Sequence, residues 1–269
     1  MWTWTSIPAA RSPWASAAIL VLRRSPLGRE VMGEERDAHR AAFNRSDLDA
    51  GERARLEAAY RSYAADPARR RAWDAANPGN VALREEIAAR LEEVAGPVLD
   101  AGAPVLDAGC GTGYWLGRLA GRGVAADRLH GVDMLADRVA AARRRVPGAA
   151  VRQADARQLP FASQTFGLVL LFTVLSSQRD DADRAATLRE ARRVTRPGGL
   201  VVVWDLRRTR RRLSPALLRA QLGPATALDS VTVAPPLARR LGRASGALYP
   251  RLARVPLLRT HWLAHARIA

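Results

Sequence analysis

A glycine-rich loop and three aspartates are spaced in this sequence as a nucleotide-like ligand would require. The loop VLDAGCGTG spans Val105–Gly113, so Asp107 precedes Gly109, Gly111 and Gly113. Glycines at these positions allow a tight turn and let a ligand touch the backbone. Taken alone, such a loop resembles any dinucleotide-binding turn and is weak evidence for one ligand.

Two further aspartates follow at the ends of the next predicted strands. Asp133 ends the second strand, where a carboxylate can hydrogen-bond both hydroxyls of a ribose. Asp155 follows the third strand in the segment QADA, where a carboxylate can accept a hydrogen bond from an adenine amino group. Either side chain could instead cap the turn that it begins, which is a common task of aspartate.

Alternating strand and helix patterns position these residues. The predicted helices are Tyr114–Ala120, Ala136–Arg145 and Asp181–Val194, the last ending before the turn Pro197–Gly199. The predicted strands are Pro104–Ala108, Leu129–Asp133, Ala150–Arg152, Phe166–Phe172, Leu200–Trp204, Ser230–Val233 and His261–Ile268. Such alternation predicts a parallel sheet covered by helices on both faces, with the ligand at the carboxyl edge of the strands.

The chain before residue 97 has a different character. Residues 1–32 are predicted to be an unstructured extension, and Met32 is an alternative start. Residues 33–96 are predicted to form a helical cap or lid, with amphipathic helices over Asp47–Tyr63 and Val81–Val94. Gly96-Pro97 is interpreted as the boundary with the α/β domain of residues 97–269, whose cofactor half would be 104–205 and whose acceptor side would be 206–269.

With these motifs in order, the sequence resembles the class I S-adenosylmethionine-dependent methyltransferases. It is most similar to their small-molecule branch, which includes ubiquinone and menaquinone methyltransferases. The resemblance runs from about Pro104 to Asp205 and includes Leu159–Phe161 (LPF) and Arg193–Leu200 (RVTRPGGL). It implies a Rossmann-like, doubly wound, mostly parallel seven-stranded sheet with an N-terminal helical cap.

The resemblance also implies roles for individual residues toward S-adenosylmethionine. The Gly109–Gly113 backbone, including Cys110, would contact the methionine and ribose parts, and Asp107 would help to hold the ammonium group. Asp133 would bind the ribose and Met134 would lie against the adenine ring. Asp155 and the Ala156 amide would read the adenine edge, and the backbone of Phe172 would flank the methionine part.

No catalytic base follows from the sequence with the same clarity. Relatives often carry a histidine or an acid just after the fourth strand, whereas this chain has the segment TVLSSQ over 173–178. Asp205, at the end of the fifth strand, either faces the ligand or caps the next segment. His261 and His39 are weaker candidates, and the arginine run 207–212 either is a solvated loop or captures an anionic acceptor.

Charge and cysteine content constrain the partners. The 43 basic residues exceed the 26 acidic ones by 17, and all of the basic residues are arginine. Because lysine is absent, we interpret the charge as a compositional bias rather than a nucleic-acid surface. The single Cys110 cannot form an internal disulfide. The sequence predicts a bacterial, cytoplasmic protein without a membrane-crossing segment or a metal site.

The predicted function is methyl transfer from S-adenosylmethionine to a small-molecule acceptor, which could be anionic. Two alternatives stay open, an RNA methyltransferase that uses the basic surface and a non-catalytic module that only binds the cofactor. RNA amino-methylating enzymes often carry an Asn/Asp-Pro-Pro-Tyr/Phe motif after the fourth strand. This chain has FTVL at 172–175, which argues against that subclass alone.

Overall fold

A computed structural model describes residues 50–207 and 213–269. The predicted extension of residues 1–32, His39 and the arginines at 208–212 lie outside these residues. The chain divides after Leu56 into two compact units. Residues 50–56 are the described part of the first unit, and there Arg55 Nε donates to Glu52 Oε2 at 2.9 Å.

Helices and strands alternate through most of the second unit. The helices are α1 (50–65), α2 (Pro67–Trp73), α3 (Pro78–Asp100), α4 (Tyr114–Gly121), α5 (Ala136–Arg145), α6 (Asp181–Val194), α7 (Pro215–Leu222), α8 (Pro235–Arg240) and α9 (Ser245–Leu252). The strands are β1 (Val105–Ala108), β2 (Leu129–Asp133), β3 (Ala150–Gln153), β4 (Phe166–Phe172), β5 (Thr195–Leu206), β6 (Ala227–Val233) and β7 (Arg259–Arg267).

The seven strands form one sheet in the order β3-β2-β1-β4-β5-β7-β6. Strands β1 to β5 pair in parallel, whereas β7 is antiparallel to both of its neighbours. The predicted fold, a Rossmann-like, mostly parallel seven-stranded sheet, is confirmed. The first strand lies in the interior of the sheet beside β4, so the loops after β1 and β4 open at the same carboxyl edge.

Apolar side chains cover both faces of the sheet. On one face, Leu170 and Val202 pack with Ile87 of α3 and Leu116 of α4. On the other face, residues of β4 and β5 pack with Leu188 of α6 and with α7. Strand β4 is buried along its whole length, as its uninterrupted apolar sequence predicts.

Helix α3 extends beyond both ends of the predicted Val81–Val94. It begins after Asn77, whose side chain accepts from the Gly79 amide at 2.9 Å. It then continues through Pro97 to Asp100, so Gly96-Pro97 lies inside this helix and does not end it. The exposed proline interrupts the helix little, because the buried Val98 and Leu99 hold its last turn against the sheet.

Strand β5 also starts earlier than the predicted Leu200. Thr195 already pairs with Phe166, and an irregularity in the register separates that pair from Leu168–Leu200. Helix α6 therefore ends at Val194, ahead of the predicted turn. In the two stretches that the structure describes, we find no helix long and apolar enough to cross a membrane.

Candidate active site

The glycine loop connects β1 to α4 and is held down on β2. The amides of Gly109 and Cys110 both donate to the carbonyl of Val132, at 2.8 and 2.9 Å. Gly109 has a φ of +86°, and a Cβ there would lie 2.3 Å from a methyl group of Val174. A side chain at this position is therefore excluded both by backbone conformation and by space, because Val174 after β4 packs directly on the loop backbone.

Asp107 carries a buried carboxylate oxygen that lacks a partner. Its side chain is 1% exposed, and no described residue donates a hydrogen bond to Oδ2. Burial and the neighbouring negative charge of Asp133 raise the pKa of Asp107 to about 7. A buried acid of this kind is stabilised in its charged form by a cation or a strong donor placed beside it.

Asp133 joins the glycine loop to α5. Its Oδ2 accepts from the Gly111 amide at 2.9 Å, and its Oδ1 accepts from the Leu135 amide at 3.0 Å. Burial raises the pKa of Asp133, which the amide of Leu135 and the charge of Arg138 partly offset. The capping interpretation is thus correct as geometry, but a carboxylate offers about four acceptor sites and these bonds use two.

The carboxylate of Asp155 makes more hydrogen bonds within the chain than the carboxylate of Asp133 does. Its Oδ1 accepts from the Arg157 amide at 2.8 Å, and its Oδ2 accepts from Nε of the same arginine at 2.9 Å. Arg157 also contacts Asp183 Oδ1 at 2.8 Å. Ala156 follows in this turn, and Met134 lies across from it, its carbonyl accepting from Gln153 Nε2 at 2.9 Å.

Cys110 is a packing residue in this loop. Its thiol is buried and free, and burial together with the charges of Asp107 and Asp133 raises its pKa. A Cβ at Gly131 would lie 2.9 Å from its Sγ, so the thiol fills space against β2. A thiol that resists ionisation is a poor nucleophile.

Arg138, which the sequence analysis did not single out, lies beside the glycine loop. Its Nη1 is 3.4 Å from the position that a Cβ on Gly111 would occupy. The ring of Tyr60 covers its guanidinium, with the carbon at the centre of that group 3.4 Å from the ring centroid. Tyr60 of α1 therefore reaches the edge of the sheet beside the glycine loop through a cation–π contact.

A row of aromatic side chains extends from the glycine loop across the sheet edge. We call Trp115, Phe172, Trp204 and His261 the aromatic row. Trp115 contacts Phe172 edge to face at a centroid distance of 5.0 Å, and Phe172 contacts Trp204 in the same way at 5.9 Å. His261 stacks on Trp204 at 5.1 Å. Phe172 and Trp204 are paired in neighbouring strands, so the row follows the sheet.

Two threonines with unusual backbone conformations fix Trp204. The amide of Thr173 donates to the Trp204 carbonyl at 2.7 Å, and the indole Nε1 donates to Thr232 Oγ1 at 3.0 Å. Thr173 and Thr232 have φ values of +59° and +66°. Left-handed φ is costly for β-branched residues, and such strain concentrates at functional sites.

The candidate bases are less available than the sequence suggested. Asp205 is fully buried, and its Oδ1 and Oδ2 accept from the amides of Leu206 and Ser176 at 2.6 and 3.1 Å. Apart from the adjoining Leu206 amide, Asp205 therefore holds the loop after β4, and residues 208–212 of the next segment lie outside the described part of the chain. Burial lowers the pKa of His261 to about 4, and its Nδ1 lies 3.0 Å from Thr260 Oγ1. Arg207, the described arginine of the run 207–212, lies over the ring of Trp262 at 4.9 Å.

The alternation of side chains in β5 could have shown which residue faces the ligand. Successive residues of a strand point to opposite faces, so Trp204 and Asp205 cannot both face the cofactor side. Trp204 shares its face with Phe172 and Trp115, whereas Asp205 points the other way, toward the loop after β4. The sequence prediction named Asp205 and omitted its aromatic neighbour Trp204.

Fold and site together define a class of protein. A parallel sheet carries a glycine loop after β1, an acid that ends β2, and a buried carboxylate whose free oxygen suits an ammonium group. These residues fit S-adenosylmethionine, whose methionine part supplies the cation and whose ribose supplies hydroxyls. They define a class I S-adenosylmethionine-dependent methyltransferase domain.

Comparison with known proteins agrees with this class. Residues 105–199 match the family model described as a methyltransferase domain. The demethylmenaquinone methyltransferase of Mycolicibacterium paratuberculosis is 48% identical over 82 residues, which cover 30% of this chain and 31% of that protein. Its counterpart in Mycolicibacterium vanbaalenii is 45% identical over 98 residues, which cover 35% of this chain and 38% of that protein.

Solved structures give weaker likenesses. The S-adenosylmethionine-dependent methyltransferase of Mesorhizobium loti has a TM-score of 0.45 and 19% identity, over 64% of this chain and 97% of that one. The PH0226 protein of Pyrococcus horikoshii has a TM-score of 0.46 and 16% identity, over 68% of this chain and 92% of that one.

The chain carries a methyltransferase domain of class I, and S-adenosylmethionine is the cofactor of this domain. The matched segments span about a third of the length of the two curated relatives, 31% and 38%. The family model covers residues 105–199, from β1 into the start of β5.

Proposed function

We propose that this protein transfers the methyl group of S-adenosylmethionine to a small-molecule acceptor. The observation that carries the proposal is the unpartnered, buried Oδ2 of Asp107, two residues before Gly109 of the glycine loop. When bound, S-adenosylmethionine supplies an electrophilic methyl group on a positively charged sulfur. The chain then has to bind the cofactor, orient the acceptor in line with the sulfur–methyl bond and keep water away.

Cofactor binding falls to the ends of the first three strands. Asp107 would hold the ammonium group, and the two remaining acceptor sites of Asp133 would bind the ribose hydroxyls. Met134, Asp155 and Ala156 would surround the adenine. Asp155 would contribute less here than Asp133, because Arg157 already occupies most of its carboxylate. The Gly109–Gly113 backbone and that of Phe172 would flank the methionine part.

The aromatic row is the proposed floor of the acceptor site. It begins at Trp115, the second residue of the helix that follows the glycine loop, and ends at His261. Flat aromatic side chains favour a planar, apolar ring as partner. The names of the two curated relatives point to the same chemistry, so we favour a quinone- or quinol-type acceptor.

The proton that the acceptor loses would pass to solvent. The described candidates are poor bases, since the pKa of His261 is lowered to about 4 and both oxygens of Asp205 hold backbone amides. Proximity and orientation can supply most of the rate when the electrophile is already activated. An acceptor with a hydroxyl group that ionises near neutral pH suits such a site.

We infer that residues 57–77 contribute a cap over the cofactor edge. The support is the contact of Tyr60 in α1 with Arg138 beside the glycine loop. Helix α3, by contrast, is packed on the sheet through Ile87 and Leu91, and so belongs to the α/β layer. A cytoplasmic site of action stays a prediction from the sequence.

Calorimetric titration with S-adenosylhomocysteine tests the cofactor part of the proposal. We expect binding by the wild type and about tenfold or greater weakening in Asp107→Asn, because a charge-assisted hydrogen bond contributes about 1.5–3 kcal/mol. Asp127→Asn, at an exposed aspartate distant in sequence from the loop, is the matched control and should bind normally. Failure of the wild type to bind would overturn the proposal.

Transfer of a labelled methyl group to a short-chain naphthoquinol tests the acceptor part. Trp204→Leu should lower kcat/KM for the naphthoquinol at least tenfold while the affinity for S-adenosylhomocysteine stays within twofold. Cofactor binding without transfer to this or other aromatic acceptors would favour the non-catalytic module. Salt-sensitive methylation of RNA would instead favour the RNA enzyme.

A further inference from the structure

The connection between β6 and β7 presents apolar and basic side chains together. We call Leu248, Arg251, Arg254, Val255 and Leu257 the insert patch. Its apolar members are among the few large hydrophobic side chains exposed in the described part of the chain. Leu257 is 83% exposed, Val255 40% and Leu248 39%. The two arginines are exposed as well.

These side chains face outward because the other side of the same turns is anchored. Tyr249 is buried and donates a hydrogen bond from its hydroxyl to Glu86 Oε2 at 2.6 Å, while the Val233 amide donates to that hydroxyl at 3.2 Å. Leu252 and Leu258 pack in the same small core. The patch is therefore anchored to this small core, and the exposed Leu257 does not belong to a frayed chain end.

The segment that carries the patch has charge of one sign. Residues 235–258 contain five arginines and no aspartate or glutamate, and the acid-free stretch extends from 230 to 269. Arginine heads beside exposed Leu and Val side chains are the arrangement of a segment that lies in the interface of a membrane. Basic residues near such a surface gain from the negative potential of anionic lipids.

The patch lies at the edge of the sheet where chemistry takes place. Strand β6 is parallel to β5, because both pair antiparallel with β7. The connection from Val233 to Arg259 therefore leaves from the carboxyl edge, which also holds the glycine loop and the end of the aromatic row. A surface that holds this edge would bring the acceptor site toward whatever it binds.

We propose that the insert patch docks on the surface of an anionic lipid bilayer. Leu257 and its apolar neighbours enter the acyl boundary, and Arg251 and Arg254 contact phosphate headgroups. A nucleic acid would satisfy the arginines but leave the leucine and valine side chains in water. A second copy in a two-fold contact would bring like-charged arginines together without an acid to separate them.

Docking at this edge extends the proposed function. It rests on that function only for the nature of the acceptor. A membrane-bound enzyme can take a lipophilic acceptor directly from the lipid phase. The docking itself needs neither cofactor nor acceptor, so it can be measured alone. The acceptor would then belong to the apolar ring compounds that dissolve in bilayers.

Co-sedimentation with lipid vesicles tests the docking. The full-length protein is mixed with vesicles of phosphatidylcholine and phosphatidylglycerol (about 7:3) or of phosphatidylcholine alone. We expect binding to the anionic vesicles to be at least tenfold tighter. Arg251→Gln/Arg254→Gln should weaken it tenfold or more, since each charge near the surface contributes about fivefold. Arg251→Lys/Arg254→Lys should bind within threefold of the wild type.

Matched variants separate docking from general charge and from folding. Leu257→Ser should weaken vesicle binding about tenfold, whereas Leu257→Ile should retain it. Arg144→Gln/Arg189→Gln removes the same charge from two other exposed positions and should bind like the wild type. Circular dichroism and titration with S-adenosylhomocysteine, both without lipid, check that every variant is folded.

Three outcomes would overturn the docking proposal. The first is equal binding to neutral and anionic vesicles, or none to either. The second is loss of binding in the arginine variants with no effect of Leu257→Ser, which would indicate a polyanion surface. The third is a lipid-free dimer that Leu257→Ser dissociates. Vesicle binding without cofactor binding would leave the docking standing and refute the proposed function, and the reverse result would do the opposite.

Discussion

Asp107 is held in a fixed position, and its carboxylate lacks a partner that would stabilise a negative charge. Strand β1 holds it in the interior, and the glycine loop that follows gives it access to a ligand. The same position explains why the carboxylate is destabilised without a ligand. Burial and the charge of Asp133 both act against its ionisation, so the free protein keeps the proton to unusually high pH.

This proton makes the stability of the free protein depend on pH. The pKa of Asp107 is about 7 in the folded chain and near 3.8 when unfolded, so the folded state holds an extra proton between these values. The contribution of Asp107 is therefore present below pH 4 and is lost as pH rises through 7, by at most about 4 kcal/mol. Urea unfolding of the wild type and Asp107→Asn at pH 5 and pH 8 measures it.

We expect Asp107→Asn to gain stability relative to the wild type on going from pH 5 to pH 8. The comparison between variants is needed because burial also raises the pKa of Asp133 and Asp205. The affinity of the wild type for S-adenosylhomocysteine should rise as pH approaches 7, since the ammonium group binds the ionised form. A pH-independent difference between the two proteins would contradict this account.

Trp204 offers a second residue whose contribution can be isolated. Thr232→Val removes the acceptor of the indole hydrogen bond and leaves a half-buried donor unsatisfied. We expect a loss of about 1–3 kcal/mol in the free energy of unfolding. In a Trp204→Phe background the same change should lose far less, because no donor is left. Equal losses in both backgrounds, measured by urea unfolding, would show that the hydrogen bond contributes nothing.

Sequence spacing could locate the acids but not their partners. Asp107, Asp133 and Asp155 were predictable because each ends or follows a strand with a clear apolar pattern. The full set of contacts around Asp155 was not predictable, because Asp183, which also binds Arg157, is distant in sequence. The aromatic row was missed for a similar reason, because it joins residues of four separate elements.

Among the elements, helix α3 contacts both the sheet and the connection between β6 and β7. Its middle packs on the sheet through Ile87 and Leu91, and its start packs on α8. Glu86 in between accepts hydrogen bonds from Tyr249 and from the Thr232 amide, at 2.6 and 3.2 Å. The helix therefore holds the connection that carries the insert patch.

Gly79 allows the close approach of α3 and α8. A Cβ at this position would lie 2.3 Å from the Ala238 carbonyl oxygen, inside any real contact distance. Gly79→Ala should therefore destabilise the protein by about 1–3 kcal/mol, although alanine is the better helix former. Gly246→Ala in α9 is the control, since a Cβ there meets open space and should stabilise by about 0.5–1 kcal/mol. Thermal unfolding that shows the same sign for both would contradict this packing.

The order of strands and helices was largely predictable, because their alternation follows from local patterns of apolar residues. Six of the predicted strands overlap closely with those observed, and β5 differs by an early start that depends on pairing with Phe166. The extent of α3 was not predictable, since Pro97 normally signals a helix end. The helix continues past Pro97 because Val98 and Leu99 are buried, and their burial depends on the tertiary structure.

For the whole molecule, the excess of 17 positive charges is the dominant electrostatic feature. Acidic side chains are used locally to join α3 and α4. Arg118 contacts Glu85 at 2.7 Å, and Arg122 contacts Glu92 and Asp100. These pairs are largely exposed and each contributes little, about 0–1 kcal/mol. Repulsion among the remaining arginines acts over the entire surface and opposes the compact state.

Salt should therefore stabilise this protein. Raising the NaCl concentration from about 20 to about 300 mM shortens the Debye length well below the size of the molecule and screens the repulsion. We expect Tm to rise by about 2–4 °C, equivalent to about 1 kcal/mol. Glu92→Gln, which removes a partner of Arg122 and adds to the net positive charge, should show a larger rise. A fall in Tm with salt would mean that the α3–α4 ion pairs outweigh the net charge, and equal rises in both proteins would exclude any contribution from the Arg122 pair.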